Sequence, residues 1–128
     1  MTLNKNVKFF LTISSIMMAL AIAIGAFGAH GLKSIVSESL LTIYKTGVEY
    51  HFYNTLGLFT ACFIMYLKPN SKKAVVASWL IFIGMIIFSF SLYLLVILNL
   101  PILGAITPIG GTLLIIAWIL LAISIYKD

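Results

Sequence analysis

Four apolar stretches, each about as long as a lipid hydrocarbon layer is thick, leave this chain almost no way to fold in water. They run over residues 8–29, 48–67, 74–98 and 107–126. A crossing helix needs about 20 predominantly apolar residues. Without water to bond to, a single segment satisfies its own backbone only as a helix. The expected fold class is therefore all-α: a four-transmembrane-helix bundle, one membrane domain over residues 1–128, with no room beside it for a soluble domain. Composition agrees. Hydrophobic residues make up 62% of the chain and charged ones 9%, with a mean hydropathy of +1.18, whereas a soluble domain carries about 25% charged residues.

Between the spans the sequence changes character. Lys5 and Lys8 ahead of an apolar run imitate a signal peptide, but the run is longer than the ~7–15 residues of a signal core. From Gly31 to Thr46, Leu32, Val36, Leu40, Ile43 and Tyr44 recur at helical spacing among Lys33, Glu38 and Lys45. That segment is too short to span and too apolar for water. A short amphipathic interfacial helix over about 33–46, with a bend at Gly47, is the expectation. Lys68 to Lys73 reads as a polar turn around Pro69, and Asn99 with Pro101 ends the third span. Thr107-Pro108 reads as a cap and a first-turn proline, and Gly31 as a left-handed residue after the first helix.

Orientation follows from the lysines. With four spans, Lys5, Lys8, Lys68, Lys72, Lys73 and Lys127 share one side, and Lys33 and Lys45 the other. The excess predicts a multi-pass protein of the cell membrane with N- and C-termini cytoplasmic. All eight basic residues are Lys, which removes the guanidinium fork suited to phosphate. No basic stripe with interleaved aromatics points to nucleic acid. The single Cys62 excludes an internal disulfide or a cysteine-based metal motif.

Lipid tails are as apolar as leucine, so helices inside a bilayer associate through close approach at small residues. Candidate packing positions are Ala21, Gly25, Gly28 and Ala29 in the first span, and Gly57 and Ala61 in the second. Gly84 serves the third, and Gly110 and Gly111 the fourth. Such stripes allow a homo-oligomer without fixing a number.

The few polar groups near membrane depth gather, by topology, on the outer side: His30, Glu49, Tyr50, His51, Asn54 and Thr107, with Tyr53 beside them. A charge at a helix centre costs about 2.5–3.5 kcal/mol, so these positions ask for a reason. They are the candidate ligand cluster around a shallow outer-facing cavity. The plain readings are helix capping for His30, an interhelical hydrogen bond for His51 and a helix-start carboxylate for Glu49. The sharper readings are a two-histidine, one-carboxylate metal site, a proton-handling pair, or an anionic headgroup held by helix N-termini. The spacing matches no recognised ligand motif and no nucleophile-and-base signature, so no catalytic residue, metal or cofactor is assigned.

Four separated motifs carry a resemblance. Gly25-Ala-Phe-Gly-Ala-His-Gly-Leu32, Tyr44-Lys-Thr-Gly-Val-Glu-Tyr-His51, Phe88-Ser-Phe-Ser-Leu-Tyr-Leu-Leu95 and Leu103-Gly-Ala-Ile-Thr-Pro-Ile-Gly-Gly111 resemble, in that order, the domain-of-unknown-function family 423. Its members are small bacterial membrane proteins related to the eukaryotic transmembrane protein 256. The resemblance implies a four-span membrane protein and supplies no activity. His30 and His51 fall on motif positions, whereas Phe90 departs from the small residue expected there. The leading expectation is a non-enzymatic protein binding a lipid or small partner beside His30 and His51. The rivals are a structural or accessory subunit of a membrane complex, or an oligomeric proton-coupled transporter or channel.

Overall fold

The computed structural model describes residues 2–127, and they are helical nearly throughout. Helix α1 (Lys5–Phe27) continues through a wide π-turn over Gly28–Leu32, and α2 spans Glu38–Leu67. Helices α3 (Lys72–Met85) and α4 (Ser91–Leu98) are joined by a second π-turn, Ile86–Phe90. A 3-10 turn, Pro101–Ala105, leads into α5 (Thr107–Lys127). No strand occurs among the described residues.

Local chemistry sets the ends. Asn4 accepts from the Val7 N–H at 2.9 Å, Ser37 from Leu40 at 3.3 Å and Ser71 from Ala74 at 3.2 Å, each satisfying a donor that the first helical turn leaves free. Asn99 closes α4 in the left-handed region at φ 50°, the one positive φ among the described non-glycine residues.

Three helical rods are long and apolar enough to cross a membrane: Lys5–Leu32, Lys72–Leu98 and Pro101–Lys127. This corrects the expectation of four such helices: the one over residues 48–67 does not qualify. Helix α2 has 30 residues, about 45 Å at the α-helical rise. Glu38, Lys45, Glu49, His51 and Asn54 make its first half too polar to qualify on composition.

The separate helix expected over 33–46 and the bend at Gly47 are not found. Residues 33–37 form a turn, and from Glu38 the chain runs as α2 without a break. A lone glycine costs a helix only about 1 kcal/mol, and at position 47 the missing side chain is used for packing. A Cβ there would stand 2.9 Å from Tyr93 Cε1 and 3.3 Å from Leu92 Cβ. Gly31 likewise is no left-handed cap, since no glycine has positive φ and residues 28–32 continue the helix as the π-turn.

Packing runs α1 on α2, α2 on α3 and α4, and α3 on α5. The larger core joins Phe10 and Met17 of α1, Leu58 and Met65 of α2, Ile81 and Met85 of α3, and Leu114 of α5. A smaller one gathers Leu32, Tyr44, Tyr93, Leu95 and Val96 toward the other end. Between α3 and α5 the backbones themselves touch. A Cβ on Gly110 would lie 2.5 Å from the Phe88 nitrogen and 2.8 Å from the Gly84 carbonyl oxygen, and one on Gly84 would lie 3.1 Å from the Gly110 carbonyl oxygen.

Candidate functional site: a divided polar cluster and an apolar groove

The six candidate cluster residues do not share one cavity. His30, on the π-turn ending the first rod, is exposed, and so is Glu49. Tyr50 is 42% exposed and stacks on Tyr53 and Phe88, with ring centroids at 5.9 and 4.7 Å. Asn54, one turn on, is buried between Tyr50 and α5. Its Nδ2 donates to the Tyr50 carbonyl at 2.8 Å, and its Oδ1 accepts from Trp118 Nε1 of α5 at 3.4 Å. Thr107 is the first residue of α5, where its hydroxyl meets the Ser91 hydroxyl at 2.6 Å. No group of three or more metal-ligating side chains occurs among the described residues. A helix turns about 100° per residue, so Glu49 and His51 point to nearly opposite sides of α2, with Tyr50 and Asn54 between them.

His51 is the buried member. Its Nδ1 lies 2.8 Å from the Tyr93 hydroxyl, and its ring sits 5.6 Å from Phe90 and 6.0 Å from Tyr93. A neutral imidazole that accepts the Tyr93 O–H at Nδ1 carries its proton on Nε2. The Met17 carbonyl of α1 faces the ring, yet Nε2 makes no hydrogen bond of full geometry. One heptad earlier on α2, Tyr44 donates its hydroxyl to the Ile24 carbonyl at 2.6 Å. On antiparallel α1, Ile24 lies one heptad after Met17. Tyr44 thus bonds one α1 carbonyl, and the His51 ring faces a second, one heptad away, without bonding it.

Tyr44 is the wedge of this seam. A Cβ on Gly28 would run into its ring; the glycine is what admits it. The ring borders a cavity of about 160 Å³ together with Gly25, Gly28, Ala29, Lys45, Val48 and Glu49. It also borders a groove of about 400 Å³ lined by Ala23, Ile24 and Phe27 of α1, Tyr44 of α2, and Phe90, Tyr93, Leu94 and Ile97 near and on α4. Its walls are carbon almost throughout, because the tyrosine hydroxyls that border it point away to Ile24 and His51. That volume falls in the ~300–1,000 Å³ range of ligand sites.

The other candidate packing residues take these places. Ala21 and Ala61 are fully buried. Gly25 would meet Val48 Cγ1 at 3.3 Å, Gly57 lies under the Trp118 ring, and Gly111 is in ordinary contact with Phe88. Ala29 is exposed.

Sequence reasoning singled out neither Tyr93 nor Ser89 nor Lys68. Lys68 at the end of α2 donates to the Ser124 and Ile125 carbonyls at 2.9 and 2.8 Å, tying α2 to the last turn of α5. The signal for the first seam was available in the seven-residue step from Tyr44 to His51. For Lys68 no signal was, because its partners are backbone atoms 56 and 57 residues away.

Long apolar rods joined by short turns, with large apolar side chains on their outer faces, define an α-helical membrane protein. The chain belongs to the family described as "Protein of unknown function (DUF423)", whose profile matches residues 24–111. It is 42% identical to the UPF0382 membrane protein YwdK of Bacillus subtilis over 120 residues, covering 94% of this chain and 98% of that one. Identity to the UPF0382 membrane protein SH2409 of Staphylococcus haemolyticus is 39%, over 94% of this chain and 97% of the relative. For the UPF0382 membrane protein SAB0533 of Staphylococcus aureus it is 41%, with the same coverage. No solved structure matches the chain.

Proposed function

We propose that the protein is a non-enzymatic, four-span protein of the cell membrane that seats the apolar chain of a lipid in the groove between α1 and α4. Both termini lie in the cytoplasm in this reading, as the lysine excess on their side favours. Helix α2 is the fourth span. It is long enough, it turns His51, Asn54 and Thr55 inward, and it presents Leu56, Phe63 and Leu67 outward. Exposed Lys45 and Glu49 then fall toward the outer headgroups, as would the first turns of α2. Ala23 to Phe27 and Leu94 to Ile97 approach the outer ends of their helices, so the groove opens in the outer leaflet.

The observation that carries this reading is the groove's wall: about 400 Å³ of concave surface with aromatic rings at its floor and almost no polar atom. Such a surface complements a hydrocarbon chain and nothing charged. A non-enzymatic role draws support from the hydroxyls, which are spent on carbonyls: Ser14 on Phe10, Thr55 on His51, Ser78 on Ala74 and Ser124 on Leu121. None of these is paired with a base. A purely structural role draws on one observation, the internal His51–Tyr93 pair.

Lipid retention separates the two. Native mass spectrometry of protein released from nanodiscs is expected to show a retained lipid that Ala23→Trp, which fills the groove, displaces. Ile16→Trp, on an exposed face of α1 outside it, should leave retention unchanged. Equal retention in both variants removes the lipid reading in favour of the scaffold.

A further inference from the structure

The buried serines and threonines of these helices follow one habit, and Ser89 breaks it. Ser14, Thr55, Ser78, Ser91 and Ser124 each return the hydroxyl to a carbonyl three or four residues back. Ser89 is fully buried, and its Oγ has no partner. It sits in the π-turn Ile86–Phe90, where the widened turn shifts the carbonyls away from their α-helical register. Among the described residues, His51 Nε2 is the other buried side-chain atom without a hydrogen bond.

These two atoms belong to one layer. On α2, His51 and Thr55 are one turn apart. Across from them, Thr55 donates to Met85 Sδ at 3.3 Å and His51 meets Tyr93. Ser89 lies midway between Met85 and Tyr93 on the opposing rod. The layer backs onto the groove, because Phe90 and Tyr93 both line the groove and both contact the His51 ring. Phe90 is only half-buried and has no polar group to tie it down; it packs at the margin of both cores, with its ring 5.2 Å from Tyr93. Unpaired polar atoms in a membrane interior are costly. A partner that supplies an acceptor to Nε2–H and a partner to the serine hydroxyl relieves both.

We propose that the groove and this layer form one site for a lipid whose apolar chain ends in a carbonyl-bearing ring, the chemical class of the prenylated quinones. The chain lies in the groove, Phe90 swings aside as the door, and ring carbonyls accept from His51 Nε2–H and Ser89 Oγ–H. This deepens the lipid-binding reading and rests on it. An ordinary diacyl lipid has no polar group at the buried end of its chains and cannot use these donors.

Binding of a short-chain prenyl benzoquinone to the full chain in nanodiscs, with the matching prenyl hydrocarbon as control, tests it. Ser89→Ala, nearly isosteric, should weaken the quinone about tenfold and leave the hydrocarbon unchanged, as expected for one lost buried hydrogen bond. His51→Phe should do the same, with circular dichroism confirming its fold. Phe90→Ala should tighten the quinone. Equal affinity of quinone and hydrocarbon, or indifference of the quinone to Ser89→Ala, overturns the proposal. A high-resolution map with water alone between His51 and Ser89 in the presence of quinone does so as well. Should the quinone fail while Ala23→Trp still displaces a retained lipid, only this inference falls. Should Ala23→Trp also displace nothing, the lipid-binding reading falls with it.

Discussion

Where α3 crosses α5, Gly84 and Gly110 bring two backbones into contact; where α1 meets α2 and α4, the ring of Tyr44 stands between them and borders two cavities. Both seams are built with glycines, yet they do opposite things. At the first, the absent side chains are replaced by backbone, which has nowhere to move. At the second, the space above Gly28 is taken by an aromatic ring, which fills it incompletely. Helices in lipid gain their association from contact area and hydrogen bonds rather than from water exclusion. The backbone seam is therefore closed to any further group, while the aromatic seam leaves open space beside the ring.

Substitutions at the two seams sharpen this contrast. The largest effect is expected at Gly110. A leucine there meets the Phe88 and Gly84 backbones and should cost about 3 kcal/mol or more, read as loss of folded protein in a denaturant titration in mixed micelles. His51→Ala leaves the buried Tyr93 hydroxyl without its partner and should cost about 1–3 kcal/mol; the same titration checks it. Tyr44→Phe removes only the hydroxyl bonded to Ile24, whose carbonyl keeps its helical N–H. A loss of about 1 kcal/mol is expected, with the groove intact by lipid retention. Gly25→Ala should be the mildest, within about 1 kcal/mol of wild type, because its Cβ meets a Val48 methyl at 3.3 Å and the Phe52 ring at 4.0 Å while the helix gains in propensity. Were Gly25→Ala as damaging as Gly110→Leu, the two seams would be equally tight and the distinction would fail.

The parts of the fold legible in the sequence are those set by local composition. Three of the four expected spans follow from uninterrupted apolar length, and Asn99 with Pro101 marks the end of α4 because a left-handed residue must be one that tolerates positive φ. Helix α2 was misread for a physical reason. Gly47 is a helix breaker by propensity, but tertiary packing against Tyr93 overrode a penalty of about 1 kcal/mol. The site was half legible. His51 could be flagged because a histidine at membrane depth needs a partner, but its partner, Tyr93, is 42 residues away. Grouping His30 and Glu49 with it assumed that nearness in depth means nearness in space. Neighbouring positions on a helix point in different directions, and those two point outward. The groove could not be read at all, since it is the shape left over when Tyr44 wedges two helices apart.

The most direct measurement of the central claim is a cross-linking map with a lipid that carries a photoactivatable diazirine near its chain terminus, bound to the protein in nanodiscs and located by peptide mass spectrometry. Labels concentrated on Ala23, Phe27, Leu94 and Ile97, and lost in Ala23→Trp, are the predicted result. Labels spread evenly over the exposed faces of α1, α4 and α5, with no response to that substitution, would contradict the account.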